Sequence, residues 1–204
     1  MKLKIAIGLS VIVLACCIAS FILPWYYLSK KETNLLPKQN VVFKWKYYQC
    51  QIGDKDKFDS INYDDIGICG FGTIGTFKMP DVAKILNTCL SFLVIGAAVA
   101  LFTVLLQFVI LLSPKLCRSC IWKVLSIAGS IATIVLLFIS FFTLLGLPKA
   151  FKEDYILPCD DYWCDKVYGD DADYKWLPHA GWWTTLAACF FALCSGVMTL
   201  ASSR

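Results

Sequence analysis

The chain has 204 residues, 58% of them hydrophobic, with a mean hydropathy of +0.65. A soluble domain is only about half apolar, so this composition excludes an ordinary soluble class and points to a membrane protein. The net charge of +4 arises from 19 Lys and Arg against 15 Asp and Glu without a concentrated basic patch, which gives a nucleic-acid partner no support.

Four stretches, 5–28, 85–112, 124–147 and 181–201, contain no Asp, Glu, Lys or Arg. Each reaches the roughly 20 residues needed to cross the hydrocarbon core. All 15 acidic residues lie within 29–83 and 148–180, whereas the segments on the other side carry only Lys2, Lys4, Lys115, Arg118, Lys123 and Arg204. By the positive-inside rule both termini and the middle loop are expected in the cytoplasm, and loops 29–84 and 148–180 face outward. The expected fold is a single tetraspan membrane domain covering 1–204. It is an all-α four-helix transmembrane bundle with a small disulfide-stapled extracellular β-sheet formed mainly by the first outer loop.

In chain order, Lys2 and Lys4 precede an apolar run that passes Cys16, so the first segment is expected to be retained as a span rather than cleaved. Pro24-Trp25-Tyr26-Tyr27 closes it with headgroup-level aromatic rings. Val41 to Ile52 predicts one strand, with Val41, Phe43, Trp45 and Tyr47 on one face and Lys44 and Lys46 on the other. Residues 54–57 predict a turn and Phe58 to Tyr63 a return strand. Gly70 to Phe77, apolar side chains separated by glycine, reads as a strand or turn packed on the loop's core. Met79-Pro80-Asp81 starts the second helix, with the proline where its missing N–H costs nothing. Gln107 in that helix is expected to make an interhelical hydrogen bond.

The middle loop holds Cys117 and Cys120 beside basic residues, a pattern suited to S-acylation and too poor in ligands for zinc. Ser126 and Ser130 in the third helix, and Thr184, Ala188, Ala192 and Gly196 in the fourth, form small-residue stripes for helix packing. Trp122 at the inner end, and Trp176, Trp182 and Trp183 at the outer end, are assigned to aromatic belts. Asp170, Asp171 and Asp173 read as a solvated acidic surface. His179 has no neighbouring nucleophile or ligand and receives no catalytic role. No Asn-x-Ser/Thr sequon occurs.

Of 11 cysteines, Cys50 and Cys69 fall in the first outer loop and Cys159 and Cys164 in the second. Even numbers on an oxidising face predict Cys50 with Cys69 and Cys159 with Cys164, with cross-loop pairing as the alternative. A single disulfide would staple a sheet too small to be independently stable.

Four spans, a large first outer loop, a smaller second one, and Trp45 followed by Cys50 and Cys69 resemble the claudin superfamily, which includes peripheral myelin and epithelial membrane proteins and channel auxiliary subunits. Pro24-Trp25 and Gly181-Trp182 are similar too. The resemblance implies an outer β-sheet stabilised by the Trp45, Cys50, Cys69 pattern and continued by the second loop.

It also implies a non-enzymatic plasma-membrane protein acting in adhesion or membrane organisation. Its expected partners are the lipid bilayer and other membrane proteins, through self-association or a larger complex. An auxiliary subunit of a channel or receptor is the close alternative. Thiol oxidoreductases of the disulfide-forming, quinone-linked type are another, but their active Cys-x-x-Cys lies on the oxidising face, whereas Cys117 and Cys120 face the cytoplasm. No catalytic residue, cofactor or metal is assigned. A connexin-like pore fits less well, because that layout has three cysteines per outer loop and no span here is charged.

Overall fold

The computed structural model describes residues 2–32, 37–53, 59–65, 78–113, 120–154, 166–171 and 173–202. Four helical stretches, Lys2–Ile22, Pro80–Leu112, Ile121–Glu153 and Ala180–Ala201, are long and apolar enough to cross a membrane. The chain divides into two compact units. One comprises Met1–Ser20, Ser91–Phe141 and Thr184–Arg204; the other comprises Phe21–Leu90 and Phe142–Trp183.

In the helical unit, α1 (Lys2–Ile22) and α5 (Ala180–Ala201) run antiparallel. Ser10 and Ser195 hydroxyls meet at 2.6 Å, Ser20 and Thr185 at 2.9 Å, and Lys2 Nζ donates to the Ala201 carbonyl. Small side chains bring these backbones close, and short hydroxyl pairs join them where no water competes. Gln107 of α2 (Pro80–Leu112) is fully buried and donates through Nε2 to Ser195 Oγ at 3.3 Å and Thr199 Oγ1 at 3.1 Å. The amide thus bonds across helices, as its sequence position predicts. In α3 (Cys120–Thr143), Ser126 and Ser130 are buried, and a Cβ on Gly196 would lie 3.3 Å from Ser130 Cβ.

The second unit is built on a six-stranded antiparallel sheet. In chain order its strands are β1 (Tyr26–Lys30), β2 (Gln39–Phe43), β3 (Tyr47–Ile52), β4 (Asp59–Asn62), β5 (Gly169–Asp170) and β6 (Tyr174–Pro178). Across the sheet they are ordered β4-β3-β2-β1-β6-β5.

Three features differ from the sequence expectation. First, α1 ends at Ile22 and Tyr26 opens the central strand of the sheet. Pro24 disfavours helical geometry in the residue before it, and the aromatic, alternating run after it suits a strand. Second, the single strand expected over 41–52 is a hairpin: Lys44 N–H donates to Tyr47 O at 3.0 Å and Phe43 pairs with Tyr48. The turn shifts the alternation by one, so the buried set is Val41, Phe43, Tyr48 and Cys50, while Trp45 sits half-buried in the turn. Third, Trp176 is a buried sheet residue whose Nε1 donates to Lys166 O at 2.9 Å, and it is not part of a membrane belt. The return strand over 58–63 is present as β4.

The third span also runs further than expected. A 3-10 turn, Leu144–Gly146, leads into α4 (Leu147–Glu153). Pro148 has no N–H to continue the α-helical ladder, and Leu147 N–H closes onto Leu144 O instead. Phe151 of α4 packs edge-on against Phe43, 5.2 Å between ring centroids, and 5.9 Å from Tyr26. These rings form the core beneath the sheet with Leu28, Val41 and Tyr48.

Just past α4, the Asp154 carboxylate accepts from Val82 N–H at 2.9 Å and Asp81 N–H at 3.1 Å. Pro80 removes one of the orphan donors at the start of α2 and Asp154 satisfies two more. This cap comes from a residue far along the chain.

Candidate functional site

The two faces of the sheet have different chemistry. Tyr26, Leu28, Val41, Phe43, Tyr48, Cys50, Tyr174 and Trp176 bury one face. Burial pushes the Tyr26 and Tyr63 hydroxyls well above the ordinary phenol range, so both remain protonated donors. Tyr26 Oη donates to Val167 O at 2.9 Å, and Tyr63 Oη to the Lys44 and Tyr47 carbonyls. The second contact closes the β2–β3 turn from below.

The opposite face is a hydrogen-bonded ladder of uncharged side chains. Register aligns Ser29 with Asn40 and Asn40 with Gln51, and Tyr27 with Val42 and Val42 with Gln49. Asn40 Oδ1 accepts from Tyr27 Oη at 2.7 Å and Ser29 Oγ at 2.8 Å, while Asn40 Nδ2 donates to Gln51 Oε1 at 3.2 Å. Gln49 Nε2 continues the row to Ser60 Oγ at 3.2 Å. One amide therefore ties together three neighbouring strands. Cross-strand pairs of this kind fix both register and rotamer.

Charge gathers at the two ends, with Lys44 over the Tyr47 ring in the β2–β3 turn and an ion-paired group beside β5 and β6. Asp170 lies 2.6 Å from Lys31 and 4.0 Å from Lys175. The hydrogen bond from Lys31 holds the Asp170 carboxyl below its usual range. At the other end of β1, the His179 ring lies against Tyr27, 6.1 Å between centroids. His179 Nδ1 is buried with no hydrogen-bond partner among the described residues, and burial lowers its pKa from 6.5.

Of the residues singled out in the sequence, Cys50 is buried on β3 opposite Val41 and Asp59. Its expected partner Cys69 lies outside the described residues, as do Cys117, Cys159, Cys164, the turn at 54–57 and the glycine-aromatic run 70–77. Cys120 is the first residue of α3. Ala188 and Ala192 are buried, whereas Thr184 and Gly196 are half-buried. The hydroxyls that bond across helices on α5 are Thr185, Ser195 and Thr199. Among the described residues no group of three or more His, Cys, Asp and Glu is placed to hold a metal.

The ladder residues Tyr27, Ser29, Asn40, Gln49 and Gln51 were not expected as a set. The alternation of Tyr26-Tyr27-Leu28-Ser29 after Pro24 is the signal that could have revealed the central strand. No family model matches the chain and no curated protein matches it, so a functional reading rests on the geometry of this sheet.

Proposed function

We propose that this chain is a non-enzymatic tetraspan membrane protein that acts in adhesion or membrane organisation through its extracellular sheet, as members of the claudin superfamily it resembles do. The observation that carries the reading is the face of the sheet opposite its core, whose side chains on β1, β2 and β3 are half-buried apart from the buried Ser29. Its middle is free of charge, its amides and hydroxyls are held in place by one another, and Tyr27, Val42 and Leu177 supply apolar area beside them. Protein interfaces have the same make-up, with charge depleted at the centre and aromatic side chains enriched. A surface already ordered also loses less entropy on binding.

In this reading the sheet lies outside the plasma membrane, both termini are cytoplasmic, and the Cys50–Cys69 and Cys159–Cys164 pairs form in the oxidising compartment. Acylation of Cys117 and Cys120 would act on the cytoplasmic side. Burial of Ala188 and Ala192, and the contact of Gly196 with Ser130, use small residues of α5 inside the chain's own bundle. This weighs against an auxiliary-subunit contact through that helix face.

The test is enrichment at contacts between expressing cells, with surface delivery measured in parallel. Val42→Glu and Asn40→Asp place charge in the middle of the ladder on half-buried positions. Both are expected to abolish enrichment while the protein still reaches the surface. Enrichment unchanged in both variants, or a stoichiometric larger membrane protein that co-purifies equally with both, would overturn the adhesive reading.

A further inference from the structure

The sheet unit contains a second surface that the adhesive reading does not use. A groove of about 760 Å³ opens between the 3-10 turn Leu144–Gly146, the segment 166–168, the end of β6 and the first turn of α5. That volume falls within the range of small-molecule sites, about 300–1,000 Å³. Leu145, Val167, Leu177 and Pro178 give it apolar walls. Trp182 and Trp183 close one end as an edge-to-face pair with centroids 4.8 Å apart.

One wall is built, not incidental. The Trp176 indole donates to Lys166 O and the Tyr26 hydroxyl to Val167 O, which ties two successive carbonyls of the segment to the sheet. Gly169 lets the chain pass directly over the Trp176 ring, where any Cβ would collide with it. The groove is therefore fixed by side chains whose own rings are buried.

Its position and charge identify the occupant. Leu145 lies towards the end of the Ile121–Glu153 stretch and Trp182 and Trp183 begin Ala180–Ala201, both long and apolar enough to cross a membrane, which puts the groove near the level where hydrocarbon gives way to headgroups. Leu145 is 44% exposed, Trp183 54% and Tyr168 73%. Lys166 is the groove's one cation and has no ion-pair partner among the described residues. Among the described residues that line the groove none is acidic and Lys166 alone is charged, so the groove offers a single positive charge beside exposed aromatic rings. A phosphate beside Lys166 with a quaternary ammonium over the exposed faces of Tyr168 and Trp183 satisfies both constraints, since aromatic faces attract such cations.

We infer that this groove is a binding site for a phosphocholine-headed lipid of the outer leaflet. One acyl chain lies along Leu145, Val167 and Leu177, the phosphate sits at Lys166, and the choline rests on the aromatic end. The inference is independent of whether the sheet is adhesive.

The experiment uses the full chain in nanodiscs containing trace phosphatidylcholine with a photoactivatable acyl chain, with adducts mapped by mass spectrometry. Labelling is expected to concentrate at 145, 166–168 and 177–183 and to be competed by unlabelled phosphatidylcholine. It should fall at least fivefold in Lys166→Glu and in Trp183→Ala, both changes at exposed side chains, with Leu101→Ala on the membrane-facing side of α2 as the unaffected control. Stronger competition by phosphatidylglycerol or a sterol than by phosphatidylcholine would overturn the headgroup assignment. Labelling spread evenly over the helices, or equal loss in the control, would reduce the groove to ordinary boundary lipid and overturn the site.

Discussion

Removing the Asp154 carboxylate tests how the long-range cap on α2 contributes to the fold. The side chain is 7% exposed and accepts from two backbone donors, one of which, Val82 N–H, is itself buried. Losing a helix N-cap costs about 0.5–2 kcal/mol, and leaving a buried donor unsatisfied costs about 1–3 kcal/mol. The two descriptions overlap, because the Val82 N–H is counted in both. Asp154→Ala is therefore expected to destabilise the protein by about 2 kcal/mol. Asp154→Asn keeps one acceptor oxygen and should lose under about 1 kcal/mol.

The pH dependence separates charge from hydrogen bonding. Burial, partly countered by the bonds from Val82 and Asp81, raises the Asp154 pKa above 3.8. The folded state then binds more protons than the unfolded one between 3.8 and the raised value. Asp154's contribution is fully present below 3.8 and declines as pH rises through the folded pKa, and Asp154→Asn should flatten that slope. Thermal melts in detergent across pH 3.5–7, calibrated by denaturant titration, would measure both effects. An Ala variant within about 0.5 kcal/mol of the parent would refute the capping account.

His179 predicts a pH dependence of opposite sign. Its pKa is lowered, so the folded state binds fewer protons between the lowered value and 6.5; stability is complete above 6.5 and lost as pH falls through the folded pKa. The same melts should show this acid-side loss, and His179→Phe should remove it. In the helical unit, Gln107 is fully buried and its Oε1 has no partner among the described residues. Interhelical polar contacts in membranes average only about 0.6 kcal/mol, so Gln107→Leu is expected to change stability by less than about 1 kcal/mol in either direction. Destabilisation beyond about 2 kcal/mol in denaturant titration would show the amide network to be far stronger than such contacts usually are.

The spans were legible because a run of some 20 uncharged apolar residues has few other uses. The helix start at Pro80 and the return strand β4 were legible from local chemistry, and Gln107 from the cost of a lone amide in hydrocarbon. The centre of the sheet was not. Tyr26 and Tyr27 carry rings that suit a bilayer interface and a strand equally well, and only pairing with β2 and β6 decides between them. The same ambiguity hid Trp176. Trp45 broke the expected alternation because a hairpin turn between two lysines carries no glycine or asparagine to announce it. The Asp154 cap was invisible for a different reason: it joins residues with no local relation, and single-sequence reading has no access to such pairs.

The position of β1 has a consequence for biogenesis. It leaves the ribosome well before one of its two hydrogen-bonded neighbours, residues 174–178, which follows it only after α2 and α3. Until then an aromatic-rich strand keeps one flank open, as a template for mispairing with other nascent chains. The sheet can therefore be finished only once residues 174–178 have been made, and a chaperone that shields Tyr26–Lys30 in the interval would set the yield of mature protein.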